Sequence, residues 1–378
     1  MTSDVPAGSM PIFLTVGDNP GRAFAMDAAD RARALAVKAG LDAVDVADPA
    51  RSTIYADLGW AWDPAWLPAL AAAPGRVLVK DGHAVLAHLA AGSDPAPLLA
   101  AMRAGQPYTD AALERLDADT TDLSYDQLRK RDRPFVMRLD PADPEPVERA
   151  AYDASYKGVT DALTLYLWRR PAFYLTRWAA RATIAPNMVT AVGALFCVAA
   201  FFLFMAGHYG FGVAAGFAFM VLDTVDGKLA RCTGQSSKWG NIFDHGIDLI
   251  HPPFWWWAWA EGLKASGMPF ERVYELLIVG TIIAGYIAQR VIEGMFMRRF
   301  GMHIHVWRRI DSRFRLITAR RNPNMVILVA SLLVGRPDVG IELVALWTIL
   351  SLIFHAVRMA QANGRRDRGR PVTSWLSE

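Results

Sequence analysis

Apolar residues are distributed in two ways along the chain. Up to about residue 180 they come in short runs broken by polar turns, and from Met188 onward in long runs that are nearly free of charge. In the first part, the apolar run 11–16 stops at Gly17-Asp18, and residues 24–39 have helical spacing. Residues 43–46 read as a second short strand. Residues 76–79 read as another strand, which meets the turn Asp81-Gly82 before apolar residues resume at Ala84, and 96–104 add a helix. Strands alternating with helices predict a small layered α/β domain over residues 1–146, ending in a linker rich in Pro and acidic residues at 140–146.

Residues 147–186 read as linker and amphipathic juxtamembrane helix. Tyr166, Trp168, Phe173, Tyr174 and Trp178 stand beside Arg169, Arg170, Arg177 and Arg181, a mixture suited to a membrane interface. Pro186-Asn187 then breaks the chain. About six runs of membrane length follow, near 188–206, 211–227, 242–263, 273–296, 324–334 and 339–359, with the fifth short. They predict a polytopic α-helical membrane domain over 187–360, followed by a basic tail at 361–378. On the second run, Gly212 and Gly216 form a small-xxx-small pair suited to close helix contact.

The charges sort by side. Lys228, Arg231, Lys238, Arg298, Arg299, Arg308, Arg309, Arg313, Arg315, Arg320 and Arg321 fall in alternate connections, whereas the opposite ones hold little beyond His208, Lys264, Arg272 and Arg336. The positive-inside bias places both termini and the front domain in the cytoplasm, for a multi-pass protein of the cell (inner) membrane. The net charge of +3 adds nothing to that, and no feature points to nucleic acid. Cys197 and Cys232 are the only cysteines and belong to no CxxC pair, which removes support for a disulfide framework or a zinc site. No basic start leads into an apolar stretch at Met1, so membrane targeting is expected from the internal spans.

The chemistry is concentrated at 222–249, LDTVDGKLARCTGQSSKWGNIFDHGIDL. Asp223 and Asp226 are three apart at the end of the second run, and Asp244 and Asp248 four apart near the start of the third. Helical spacing puts each pair on one face, and the short polar turn between the helices lets the faces converge. Four carboxylates at a membrane edge repel one another, so cations must offset the cost. An all-oxygen donor set without His or Cys favours Mg2+ or Mn2+, with Ca2+ as an alternative occupant. Two such ions can hold a pyrophosphate and orient an attacking hydroxyl. Gly227, Ala230 and Gly240 leave room for a nucleotide close to the backbone, and Arg231 offers a fork for phosphate. Intramembrane acids also mark ion pathways, which leaves a transporter as the alternative reading; but these acids cluster at one edge and do not cross the bilayer.

Read as D-x2-D-G-x2-A-R-x8-G-x3-D-x3-D, Asp223 to Asp248 resembles in full the signature of the CDP-alcohol phosphotransferase (phosphatidyltransferase) family. The resemblance implies that Asp223, Asp226 and Asp244 hold metal ions, and that Asp248 holds the second ion, acts as base toward the acceptor hydroxyl, or does both in sequence. It implies that Gly227, Arg231 and Ser237 contact the CDP moiety. Pro186-Asn187-Met188-Val189-Thr190 matches the family's frequent P-N-x-V-T motif, so Asn187 and Thr190 are expected to line the nucleotide pocket. The family further implies six spans, a homodimer, a site open to the cytoplasm, and a CDP-alcohol donor such as CDP-diacylglycerol or CDP-inositol. From Tyr156-Lys157-Gly158-Val159-Thr160-Asp161 through His251-Pro252-Pro253 the chain also resembles bifunctional enzymes that fuse an inositol-phosphate cytidylyltransferase to the membrane domain and make di-inositol phosphates.

Two regions bear on the substrate. Arg290 lies inside the fourth run and needs a partner there, so it is the favoured contact for a phosphorylated acceptor among Arg290, Arg313, Arg315, Arg320 and Arg321. A working cytidylyltransferase carries a Gly-rich, Arg-containing loop after its first strand, whereas Val16-Gly17-Asp18-Asn19-Pro20-Gly21-Arg22 lacks the full glycine pattern. The front domain is therefore expected to be a degenerate relative used for scaffolding, dimerisation or regulation.

Overall fold

The computed structural model describes residues 10–125, 129–235 and 238–377. They group into two compact units. One is made of Met1–Tyr156, Thr176–Ile184 and Lys228–Gln235, and the other of Lys157–Leu175, Ala185–Gly227 and Ser236–Glu378.

The first unit is built on a six-stranded mixed sheet. Its order is Asp42–Ala43, Ile12–Val16, Thr53–Asp57, His83–Leu89, Arg76–Lys80, Glu114–Asp117. Ile12–Val16 runs parallel to both neighbours, His83–Leu89 is antiparallel to both of its own, and Glu114–Asp117 returns parallel to Arg76–Lys80. Helices α1 (Ala28–Lys38), α2 (Trp66–Ala71), α3 (Ala96–Ala104) and α4 (Glu145–Ala154) complete it. Successive strand residues enter different cores, as their opposite directions require. Ile54, Ala56 and Leu78 join Leu35, Trp62 and Trp66, while Tyr55, Val77 and Val79 join Leu98 and Met102. The strands expected at 11–16 and 76–79 and the helix at 96–104 are present; that at 43–46 shrinks to Asp42–Ala43. Thr53–Asp57 went unread because it is buried on both faces and shows no alternation.

The second unit is helical, with α5 (Arg169–Arg181) and α7 (Tyr209–Cys232) shared between the groups. The others are α6 (Pro186–Met205), α8 (Lys238–Gly262), α9 (Arg272–Phe300), α10 (Arg309–Arg315), α11 (Arg321–Leu333) and α12 (Pro337–Asp367). Among the described residues four of them, α6, α7, α9 and α12, are long and apolar enough to cross a membrane. The expected third span is α8, whose 25 residues give it the length. The expected fifth is α11, whose 13 residues rise about 20 Å against a hydrocarbon core of about 30 Å.

The amphipathic helix expected over 147–183 is not continuous. It breaks between α4 and α5, where the Asp161 carboxylate accepts the Thr164 amide at 3.0 Å and the wide turn Leu163–Leu167 follows. A carboxylate that satisfies a backbone amide locally competes with helix continuation.

Aromatic packing holds the helices. Trp255, Trp256 and Trp259 are buried with Phe204, Phe219, Met325 and Leu328, so these tryptophans serve the core and not the outer interface. Their indoles reach backbone oxygens, Trp255 to Cys197 and Trp259 to Pro337, each at 3.0 Å. At Gly262 a Cβ would fall on the carbonyl oxygen of Phe204, so the backbones of α6 and α8 touch there. A Cβ at Gly216 would press on the Trp255 ring and one at Gly212 on the Phe204 ring, which is the close helix contact expected of the Gly212/Gly216 pair.

Candidate active site

Helix α7 carries Asp223 and Asp226 on one face. Asp226 is buried, 3% exposed, and its carboxylate accepts the Gly227 amide and, at 2.6 Å, the Thr190 hydroxyl. That hydroxyl also lies 3.1 Å from the Pro186 carbonyl, one turn back in α6. Both acceptors compete for one proton, which fixes the Thr190 rotamer and aims its oxygen at α7. Asn187 lies exposed in the first turn of α6.

Helix α8 brings Asp248, whose side chain is 44% exposed. Arg321, at the start of α11, joins the two helices. Its guanidinium donates to Asp248 at 2.6 Å and to Asp223 at 2.7 Å, with the Phe219 ring 4.9 Å beneath it. One planar fork therefore binds carboxylates that stand about 25 positions apart in sequence, and it sets them within a guanidinium's width. Arg321 is itself held. Its Nε donates to Asn322 at 3.0 Å, and the Asn322 amide donates to Asp161 at 2.8 Å and to Thr164 at 3.2 Å. Pro252 and Pro253 lie inside α8 and remove two ladder donors. The Tyr286 hydroxyl supplies one replacement, donating to the Leu249 carbonyl at 3.1 Å. His251 packs edge-on against Phe219 and Trp255 as a core histidine.

The expected residues are thus distributed unevenly. Thr190, Asp223, Asp226, Gly227 and Asp248 belong to the second unit, and described bonds link Thr190 to Asp226 and, through Arg321, Asp223 to Asp248. Gly240 lies in the first turn of α8. Ala230 and Arg231, in the last turn of α7, group with the first unit. Ser237 and the side chain of Asp244 lie outside the described residues. Sequence reading missed Asn322 and Asp161 as the brace behind Arg321. The available signal was Arg320-Arg321-Asn322-Pro323-Asn324, a basic and amide-rich run directly before an apolar one.

Arg290 finds its partner in its own helix, donating to Glu293 at 2.7 Å. Arg320 also bonds both Glu293 oxygens, at 2.6 and 2.7 Å. Glu293, His305 and His355 bring ligand atoms within 4.8 Å of one another. Two guanidiniums already occupy the Glu293 oxygens, and their charge opposes a metal ion, so this cluster is an ion-pair node joining α9 to Arg320 at the start of α11.

The aspartates do fit a divalent cation. The Asp223, Asp226 and Asp248 oxygens are hard donors, and the Arg321 guanidinium bridging Asp223 and Asp248 stands in for positive charge between them.

Residues 183–303 match the profile of the CDP-alcohol phosphatidyltransferase family. The chain is similar there to CDP-alcohol phosphotransferases, which are transferases. Its relatives include the phosphatidylinositol phosphate synthase of Mycobacteroides abscessus, 28% identical over 163 residues, which cover 34% of this chain and 71% of that one. The archaetidylinositol phosphate synthase of Pyrococcus horikoshii is 27% identical over 190 residues, 49% of this chain and 87% of that one. Cholinephosphotransferase 1 of Gallus gallus is 30% identical over 134 residues, 32% of this chain and 38% of that one.

Proposed function

We propose that the protein transfers a phosphoalcohol group from a CDP-alcohol to an acceptor hydroxyl and releases CMP, with divalent metal ions bound by Asp223, Asp226, Asp244 and Asp248. The observation that carries this reading is the meeting of Asp223 and Asp248 on one guanidinium, with Asp226 one turn along α7. Carboxylates so arranged hold cations, and Mg2+ or Mn2+, when bound, supplies charge that stabilises a phosphate leaving group.

Asp248 is the most exposed of the three described carboxylates, so it is the one that meets the acceptor. It takes the proton of the acceptor hydroxyl as the hydroxyl oxygen bonds to the phosphorus of the phosphoalcohol group. The bond from that phosphorus to the bridging oxygen breaks, and CMP departs with the oxygen. Thr190 holds Asp226 in place, while Asn187, Thr190, Gly227, Ala230, Arg231, Ser237 and Gly240 surround the nucleotide. Asp223 and Asp248 would hold the metal ions in place of the guanidinium, and Arg321 would then be free to bind a phosphate of the substrate. The donor is CDP-diacylglycerol or CDP-inositol. An inositol-type acceptor or product is favoured by the names of two relatives.

The protein is read as a multi-pass membrane homodimer, with residues 187–360 as the membrane domain and with the site and both termini cytoplasmic. Residues 1–146 are read as a module without nucleotidyl transfer. The loop after the first strand supports this, since Asn19 fills it by donating to the Leu58 and Leu139 carbonyls, each at 3.0 Å, and accepting from Gly21 at 2.7 Å.

The test incubates purified protein and Mg2+ with each donor and a panel of hydroxyl acceptors, and follows CMP. CMP release that stops in Asp248→Asn is expected. Folded, metal-loaded protein that releases CMP from no pairing, yet conducts ions in vesicles, would replace the transferase with a transporter.

A further inference from the structure

A cavity of about 620 Å³ lies at the C-terminal end of α12, and none of Asp223, Asp226 and Asp248 lines it. Trp307, Arg308, Arg358, Arg365, Arg368 and Arg370 line it, and none of the described lining residues is a carboxylate. Helix α12 passes the active-site region at Ser351, whose hydroxyl accepts the Ala319 amide at 3.0 Å. The cavity residue Gly364 lies about 20 Å of helix rise beyond that point.

The arginines converge by construction. Arg358 is locked by Asp311, with bonds of 2.5 and 2.8 Å to a carboxylate that is 2% exposed. It lies over the Trp307 ring at 4.1 Å, and Arg308 approaches the same ring at 5.4 Å. After α12 the chain turns back at Gly369, where φ is +69°, and the Arg370 amide donates to the Arg365 carbonyl at 3.1 Å. Arg365 donates to the Pro371 carbonyl at 2.9 Å, which holds the turn closed. Arginines at a helix C-terminus are ordinarily explained by the helix dipole. That explains Arg365 and Arg368, but not why Arg308 and Arg358, from outside that terminus and from two turns earlier, face the same hollow.

Five guanidiniums around one space repel one another, and Asp311 neutralises only Arg358. The volume is that of a small-molecule site and exceeds what one phosphate ion fills. We propose that this cavity is a second binding site, for a phosphate-bearing polar molecule: a soluble phosphorylated compound or the headgroup of an anionic phospholipid. Guanidinium forks match phosphate oxygens in pairs, and Trp307 forms the wall between them.

Calorimetry on the full-length, metal-free protein in neutral detergent tests this, with glycerol phosphate and short-chain phosphatidic acid as probes. Because binding is read without turnover, the result is independent of the proposed transfer reaction. Arg368→Glu/Arg370→Glu is expected to weaken binding about tenfold or more. Arg298→Glu/Arg299→Glu, the same charge change at exposed residues of α9 outside the cavity, is expected to leave it unchanged. If the reversed-charge protein does not fold, Arg368→Gln/Arg370→Gln takes its place. Binding of glycerol phosphate supports a soluble ligand, and binding of phosphatidic acid alone supports a headgroup. Absence of binding by either probe overturns the proposal. So does equal weakening in the α9 control, which reduces the effect to general surface charge. A raised acceptor KM in the Arg368→Glu/Arg370→Glu protein also overturns it, because the cavity would then belong to the active site.

Discussion

The two units differ in where most of their paired charge sits. In the α/β unit most of the described ion pairs lie at the surface, as Arg33–Asp45 does at 2.6 Å with side chains 43% and 81% exposed, and Arg177–Glu148, with side chains 16% and 2% exposed, is a buried exception. In the helical unit Arg336–Asp338 stays at the surface, but the pairs at the aspartates and at Asp311 are sunk among helices: Arg321 is 13% exposed between Asp223 and Asp248, and Arg358 is 12% exposed on Asp311. Exposed pairs gain little over separate hydrated ions. Buried pairs add little when whole, yet leave a costly unpaired charge when one member is removed. Most charge in the first unit therefore serves solubility, and the buried pairs, which are more frequent around the aspartates and Asp311, mark places where geometry matters.

That contrast can be broken experimentally, beginning with the active-site acids. Asp226→Asn is expected to lower CMP release by about a hundredfold or more while the purified protein keeps its elution volume; near-normal turnover would remove the carboxylates from the chemistry. Next comes the bridge. Arg321→Ala should destabilise chelator-treated protein by about 2–4 kcal/mol, discounted for the partly exposed Asp248, and added Mg2+ should recover part of the loss. Thermal unfolding with and without metal reads this directly, and an unchanged midpoint would make the bridge incidental.

Smaller effects follow from packing and from the first unit. Gly262→Ala should cost about 1–3 kcal/mol, measured by the same melts, because its methyl group has only backbone to displace. Burial holds the His88 imidazole below its usual 6.5, against the Leu70 carbonyl that bonds it at 2.9 Å. The folded state then binds fewer protons than the unfolded one, so stability is full above the unfolded value and declines as pH falls below it. Hydrogen exchange in strand His83–Leu89 of the intact chain should speed up on mild acidification, and His88→Gln should flatten that dependence. Least of all, Arg33→Ala should change stability by less than about 0.5 kcal/mol. A larger change would erase the distinction between the two units.

Much of this could be read from sequence where one residue type at a fixed spacing decides the outcome. Asp223, Asp226 and Asp248 declare themselves, as do the long apolar helices and the strands next to tight turns. The central strand Thr53–Asp57 could not be read, because a strand buried on both sides has no period. Nor could the break at Asp161, where one carboxylate overrides a helical pattern. The Arg321–Asn322–Asp161 brace joins residues about 160 positions apart. Sequence placed Arg321 among five candidates without saying which acids it meets. Arg290 was read correctly as needing a partner, but Glu293, one turn away, was not recognised as that partner.

Trp255 bonds Cys197, and about two turns further along both helices Gly262 abuts Phe204, so α6 and α8 run side by side in constant register. Extended the other way, that register sets Thr190 level with Asp248. The pair acts as a stiff fork joined at its closed end, and a wedge at Gly262 would spread the tines about 20 Å away, where Asp248 sits. The spacing of Thr190 and Asp248 is thus set partly by a glycine at the far end of the same helix pair.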